Sequence, residues 1–376
     1  MFKRLVIGFV LLFLAAGLCW AWEFNSPWYS LERGKRYFRN GSFGNALIAF
    51  EDARRGRYEQ FTQLEQDLIL FLSRPTVRLL GDSLEFVEAY IAQFHETRAA
   101  AALAELYHRV PRESLRGSVR RALEEMNRLK VYPEAEFWLG ETFRETGELG
   151  LALRQYEEAW NQRAFLENPQ FEVQILYRLA EVHRVRLEYP QMERRARQII
   201  EGICPITGPR DRLWGGAQNP IRPAMLRLMQ NEGIDRFLAL YRHNNPVTER
   251  AHRFLGSFFY VTNRFPTAVE HLMFAFLIQN TILIDEIIRR QFDFTYTTLD
   301  DLMEQVGQRR ELRAFIEETE YFRTIFMLSS ALHATGNTRP AMELWAFLAR
   351  SPDSGEWGER ARRNPTPFID RAVEQP

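Results

Sequence analysis

The sequence predicts an all-α protein made of stacked, antiparallel helix hairpins. Apolar residues recur at helical spacing with few β-branched runs, and small residues fall at fixed places between large rings. The same arrangement returns several times along the chain. The composition, 46% hydrophobic and 26% charged, is typical of a folded chain with a large core.

The clearest hairpin lies between Tyr132 and Gln162, where two amphipathic segments flank Gly147. Gly140 and Ala152 predict a close approach of the two helices, because helices approach closely only where side chains are short. Tyr156 fills the space beside them. Gly147 predicts the turn, since a positive φ costs glycine little.

Four other segments repeat this spacing. They contain Gly34, Gly41, Phe50 and Ala53; Leu179, Ala180, His183 and Ala196; Leu255, Gly256, Asn263 and Ala268; and Leu328, Ser329, Gly336 and Ala341. The pattern resembles the tetratricopeptide repeat (TPR) family, whose unit is a helix-turn-helix of about 34 residues. The resemblance implies a right-handed superhelical solenoid with some degenerate repeats, including hairpins between residues 61 and 130.

The predicted domain organisation follows the breaks in this pattern. Residues 22–201 form an N-terminal helical array and residues 224–350 a C-terminal array, separated by a Gly/Pro-rich loop at 202–223. Trp214 in that loop either docks on a neighbouring helix or belongs to a binding loop. Cys204 is a passive small residue or a reactive thiol. Residues 351–376 form a capping helix and tail.

The first 21 residues predict export from the cytoplasm. Lys3 and Arg4 precede an uncharged apolar run from Leu5 to Trp22. Three interpretations remain open: a signal peptide cleaved after Ala21, a retained membrane anchor, or a lipidated Cys19. All three predict an extracytoplasmic body in the periplasm or envelope, in the last two cases attached to a membrane.

No catalytic motif was found in the sequence. The phosphate-binding GxxxxGK, the zinc-protease HExxH and the nucleophile-elbow GxSxG are absent, and the histidines are scattered without metal-ligand spacing. The 49 basic and 49 acidic residues balance, which excludes nucleic-acid wrapping by charge alone. We therefore expect a non-enzymatic protein without cofactor, metal or nucleic acid.

The resemblance also implies a binding groove on the first helices of the repeats, suited to a peptide or partner protein. Carried onto this chain, the groove positions are Phe137, Glu141, Arg144, Tyr177, Glu181, Arg184, Arg253, Ser257, Tyr260, Phe326, Ser330 and His333. For each of these residues, packing against the next hairpin is the alternative. The predicted function is a scaffold or adaptor at the cell envelope. The alternatives are an accessory subunit of an envelope transport or outer-membrane assembly system, and a cell-wall-modifying enzyme.

Overall fold

The all-α prediction is confirmed. A computed structural model describes residues 26–72, 125–202, 214 and 220–363, and these residues contain helices and turns but no β-strand. The predicted signal or anchor segment with Cys19, the 73–124 stretch, Cys204 and the tail from residue 364 lie outside the described residues.

The helices are numbered here in chain order. They are α1 Pro27–Arg39, α2 Phe43–Leu72, α3 Pro133–Glu145, α4 Leu149–Asn161, α5 Phe171–Val185, α6 Tyr189–Ile200, α7 Ile221–Glu232, α8 Ile234–Leu240, α9 Pro246–Val261, α10 Phe265–Arg290, α11 Leu299–Gly307, α12 Arg310–Glu318, α13 Tyr321–Ala334, α14 Thr338–Arg350 and α15 Gly355–Arg363. Short 3-10 segments lie at Arg163–Phe165 and Pro352–Ser354.

The chain divides into two compact units, Met1–Val182 and His183–Pro376. The division falls inside α5, upstream of the 202–223 loop that the sequence predicts as the boundary. The difference arises because α6 packs against α9, so that α6 belongs to the second unit. A loop rich in glycine and proline marks the end of a helix, but packing decides which helices share a core.

Several helix starts follow from side-chain caps. Ser26 accepts a hydrogen bond from the backbone N–H of Tyr29 before α1, and Asn245 accepts one from Thr248 before α9. A capping box between Thr298 and Asp301 begins α11. Each cap satisfies a backbone N–H that has no partner within its own helix.

In unit 1, α1 packs on α2, α2 packs on α3, and α3 packs on α4. Leu31, Phe50, Tyr132 and Leu139 lie in the shared core. Helix α2 continues without a break to Leu72, past residue 61, where the sequence predicts that the degenerate hairpins begin.

One helix contact is repeated in three hairpins. A Cβ atom added to Gly140 would lie 2.6 Å from the ring of Tyr156, and one added to Gly256 would lie 2.7 Å from Leu272. Gly34 faces Phe50 in the same way. Each glycine lets a large side chain of the second helix lie directly on the backbone of the first.

One turn conformation is repeated in five hairpins. The left-handed residues are Gly41 (φ +72°), Gly147 (+82°), Leu187 (+61°), Asn263 (+58°) and Gly336 (+82°). Each donates its backbone N–H to the carbonyl three residues earlier, and the next residue donates to the carbonyl five residues earlier. This is the hydrogen-bond pattern of the Schellman helix end.

In unit 2, α9 packs on α10, α10 on α13, α13 on α14, and α14 on α15. Two hairpins of shorter helices, α7 with α8 and α11 with α12, join this stack. Within the described residues, α10 is long and apolar enough to cross a membrane, but 78% of its most apolar window is buried inside the protein. This burial is typical of a core helix.

Candidate functional site

An open cleft of about 770 Å³ lies in unit 2. It is lined by residues of α11 and α12, the first turn of α13, the 3-10 turn at Pro352–Ser354, and α15. Its volume is in the range of sites that hold a small molecule or a short chain segment.

The floor of the cleft is apolar. Val306, Ile316, Tyr321 and Phe322 are buried and line it. Half-buried Trp357 also lines the cleft, and its ring centroid lies 5.4 Å from that of Phe326. Because the four floor residues are almost fully buried, a side chain entering the cleft would meet more polar than apolar surface, with an accessible aromatic ring at Trp357.

The rim of the cleft is charged. Its basic residues are Arg313, Arg323 and Arg360, and its acidic residues are Glu317, Glu320, Asp353 and Glu356. The guanidinium of Arg360 lies 4.7 Å from the centroid of the Trp357 ring and donates a hydrogen bond of 3.3 Å to Glu356. The combination of an apolar floor and a mixed charged rim is typical of protein-binding surfaces.

Glu320 holds an unusual position in the rim. Its backbone is left-handed (φ +48°, ψ +43°), and its carboxylate accepts hydrogen bonds from Arg323 at 3.0 Å and Arg253 at 3.4 Å. A left-handed backbone is unfavourable for residues with a Cβ atom. Packing and the two arginines therefore fix Glu320 where α12 turns into α13.

Two arginine nitrogens in the cleft lining have no hydrogen-bond partner. They are Nε of Arg323 and Nη1 of Arg360, and both atoms are buried. A buried N–H without a partner is costly, because it has lost its hydrogen bonds to water. Because both atoms are buried, neither is accessible to a molecule in the cleft, and buried Nε atoms without a partner also occur at Arg33 and Arg144.

Two of the groove residues that the sequence predicts in unit 1 are buried aromatic rings. Phe137 is only 3% exposed, and its ring centroid lies 5.2 Å from Phe171 and 5.8 Å from Tyr156. Tyr177 is 8% exposed. These two rings pack inside the unit instead of facing a partner, which is the alternative that the sequence leaves open.

Glu141 lies at the centre of a buried hydrogen-bond network. It accepts hydrogen bonds from the Tyr156 hydroxyl at 2.5 Å and from Arg144 at 3.4 Å, and it pairs with Arg178 at 2.7 Å. Burial, together with the Glu141 carboxylate, raises the pKa of Tyr156 well above its ordinary value. Arg178 also pairs with half-buried Glu181 at 2.7 Å. The network links α3, α4 and α5, so Glu141 is a structural residue here.

Some of the predicted groove residues of unit 2 are buried, and others are partly accessible. Tyr260, Phe326 and Ser330 are buried, and the Ser330 hydroxyl donates to the Phe326 carbonyl. Their side chains are therefore packing residues. Half-buried Arg253 donates to Glu249 at 3.1 Å as well as to Glu320. Burial raises the pKa of Glu249, and Arg253 opposes that shift.

Arg144, Glu181, Arg184, Arg253, Ser257 and His333 remain at least partly accessible. A role for them in partner binding remains a prediction. Arg323, Glu320 and Arg360 line the cleft but are not among the residues that the sequence predicts for the groove. Arg323 lies one helical turn before Phe326, so following the predicted groove face back by one turn would have found it.

The structure places two scattered histidines together in the core of unit 2. His252 on α9 and His271 on α10 have Nδ1 atoms 3.2 Å apart, and both side chains are fully buried. Burial, with further contributions from Arg197 and Arg222, lowers the pKa of His271 well below its ordinary value. This shift favours the neutral form of the His271 ring.

Trp214 covers this pair, with ring centroids 4.7 Å from His252 and 4.6 Å from His271. It therefore docks on the helices, which was one of the two interpretations of its loop. In the ranges that the structure describes, no three His, Cys, Asp or Glu side chains are grouped so as to hold a metal ion. Because aromatic rings and arginines surround the two histidines, we interpret the pair as part of the packing between α9 and α10.

No protein-family model matches the chain. The chain is 25% identical over 336 residues to an uncharacterized protein of Treponema pallidum (strain Nichols). The matched region covers 89% of this chain and 88% of that protein. The similarity extends over nearly the whole length of both proteins.

Proposed function

We propose that this protein is a non-enzymatic scaffold or adaptor at the cell envelope, which holds a segment of a partner protein in the cleft of unit 2. The observation that carries the proposal is the cleft itself, with its apolar floor around Phe322 and Trp357 and its charged rim. Such a surface can bury side chains of a partner in its centre and pair polar groups at its edge.

We further propose that the hairpins belong to a TPR-like solenoid. The repeated contacts of Gly34, Gly140 and Gly256 with the second helix support this assignment. The shared turn geometry at five equivalent positions supports it independently. Hairpins of one geometry can stack on each other into an extended binding body.

The envelope location is proposed from the N-terminal sequence. Lys3, Arg4 and the apolar run to Trp22 have the order of an export signal or anchor. A periplasmic partner would then meet the body of the protein outside the cytoplasm. Detection of the full-length protein in the periplasmic or membrane fraction, and not in the cytoplasm, is the expected result of cell fractionation.

The binding proposal is tested by photo-crosslinking in cells. A crosslinking amino acid replaces Glu356, which lines the cleft, or Glu359, which is on the same helix but does not line it. The two side chains make a matched pair, because they are 63% and 59% exposed and each forms one ion pair four residues along the helix.

We expect a specific crosslinked protein from position 356, absent from position 359 and lost when Trp357→Ala is added. Identical crosslinks from both positions would contradict cleft binding. The absence of any crosslinked protein from position 356 would contradict it as well. The thermal midpoint of each variant shows whether the fold is intact.

A further inference from the structure

We infer that the chain's own tail, residues 364–376, occupies the cleft of unit 2 when no partner is bound. The Pro-Thr-Pro-Phe sequence at 365–368 would lie against the accessible ring of Trp357. The tail would then compete with a partner segment for the same cleft, a consequence that rests on the proposed function. The contact itself lies within one chain and needs no partner.

The tail leaves the fold at the edge of the cleft. Helix α15 lines the cleft through Trp357 and Arg360, among others, and it ends at Arg363. The end of the helix is held in place, because Arg362 donates a hydrogen bond of 2.8 Å to the Ala349 carbonyl on α14. The tail therefore begins at a fixed point, about one helical turn beyond Arg360.

The tail is long enough to return to the cleft. Pro365 and Pro367 cannot continue α15, and each favours an extended conformation in the residue before it. Residues 364–368 span up to about 17 Å when extended. Trp357 lies about 9 Å back from Arg363 along the helix, at about 1.5 Å per residue. Phe368 can therefore reach the Trp357 ring.

The sequence at 365–368 suits the surface that the cleft exposes. Because the floor residues are almost fully buried, half-buried Trp357 provides the accessible aromatic ring. Extended proline-rich segments bind to surfaces lined by aromatic rings, since their backbone is ordered before binding. Phe368 adds a large apolar side chain. The lining carries four carboxylates and three guanidinium groups, so charge does not select the occupant.

Attachment to the same chain favours this occupant over a free segment. A segment on a short linker meets its site at an effective concentration in the millimolar range. A contact with a Kd of about 1 mM would then be occupied about half of the time. A partner has to displace the tail, so the tail lowers the apparent affinity of the cleft for a partner.

The inference is tested by photo-crosslinking within the purified full-length protein. A crosslinking amino acid replaces Glu356, which lines the cleft, or Glu359, which does not line it and is three residues closer to the tail. Mass spectrometry of the monomer identifies crosslinks to residues 364–376. We expect at least about threefold more of them from position 356 than from position 359. A tail that stays outside the cleft would give the opposite order.

Phe368→Ala should lower the crosslinks from position 356 by about threefold or more, because it removes most of the apolar contact. Val373→Ala, which removes apolar surface farther along the same tail, should change them by less than about 1.5-fold. As a second measurement, a synthetic peptide of residues 364–376 at about 5 mM should compete and lower them by about threefold. The same peptide with Phe368→Ala should not compete. Circular dichroism and thermal midpoints show whether each variant is folded.

Two results would overturn the inference: crosslinks that are as frequent from position 359 as from position 356, and crosslinks from position 356 that both Phe368→Ala and the competing peptide leave unchanged. In cells, crosslinks from position 356 to a partner should rise about twofold in Phe368→Ala. No rise would refute the competition. Partner crosslinks without tail crosslinks would refute the inference and leave the proposed function standing. Tail crosslinks without any partner would do the reverse.

Discussion

Replacing Leu187 by glycine should stabilise the protein, although the substitution removes a large apolar side chain. Leu187 has φ +61° in a turn where three of the four equivalent residues, Gly41, Gly147 and Gly336, are glycine. An L-residue in the left-handed region costs about 1–2 kcal/mol. The Leu187 side chain recovers little of this by burial, because the residue is 69% exposed.

The expected gain follows from two opposing quantities. Glycine removes the left-handed strain of about 1–2 kcal/mol, but it loses more backbone entropy on folding, by roughly 0.5–1 kcal/mol. The difference is a gain of about 0–1.5 kcal/mol in the free energy of unfolding, with a central value of about 0.75 kcal/mol. In a unit of roughly 190 residues, 1 kcal/mol corresponds to about 2–4 °C in thermal midpoint.

The assay is scanning calorimetry on the full-length protein, with a urea titration as a second measure of the free energy of unfolding. The matched control is Gly147→Leu, the reverse change at the equivalent turn of unit 1. No heavy atom lies within 4 Å of a Cβ atom added to Gly147, so this change adds strain without a clash. We expect it to destabilise unit 1 by about 1 kcal/mol.

A lower midpoint for Leu187→Gly would refute the reasoning, since it would mean that the side chain contributes more than the strain costs. An unchanged midpoint for Gly147→Leu would also refute the reasoning. In that case the left-handed turn would not be a significant source of strain in these hairpins.

The remaining predictions concern the core and the buried polar groups. Gly140→Leu should lower the free energy of unfolding by about 2 kcal/mol or more in a urea titration, because its Cβ atom would overlap the Tyr156 ring. Tyr156→Phe should cost about 1–3 kcal/mol by the same assay, because it takes one donor from buried Glu141. An unchanged midpoint in either variant would contradict the described contact. His271 has a lowered pKa in the folded state, so the unfolded chain binds its proton first as the pH falls below about 6.5. Stability should therefore decrease with acidification, by up to about 1.4 kcal/mol per pH unit from this group, and His271→Gln should reduce that slope between pH 7.5 and 5.5. An equal slope in both proteins would contradict a buried neutral His271.

Most local features of the fold can be predicted from residue types. Glycine at 41, 147 and 336 indicates a positive φ because it lacks a Cβ atom, and asparagine at 263 is the next most tolerant residue. Leu187 shows where this reasoning fails. Leucine has no preference for the left-handed region, yet Leu187 adopts it and makes the same two turn hydrogen bonds as the glycines.

The exposed face of a helix is harder to predict. The repeat pattern places Phe137 and Tyr177 on the first helices of hairpins, where the family resemblance implies a groove. In the folded unit Phe137 lies against Phe171, and both predicted residues are buried. Helical periodicity identifies the faces of one helix, whereas the burial of a face depends on the neighbour that covers it.

The helices, the turns at glycine and the close contacts at glycine were determined by the sequence itself, because these depend on residues near each other in the chain. Tertiary structure alone decided that α6 belongs with α9, that His252 meets His271, and that residues from 303 to 360 line one cleft. These features join side chains from separate helices. Their positions follow from how whole helices pack, and a spacing pattern within one helix carries no information about that packing.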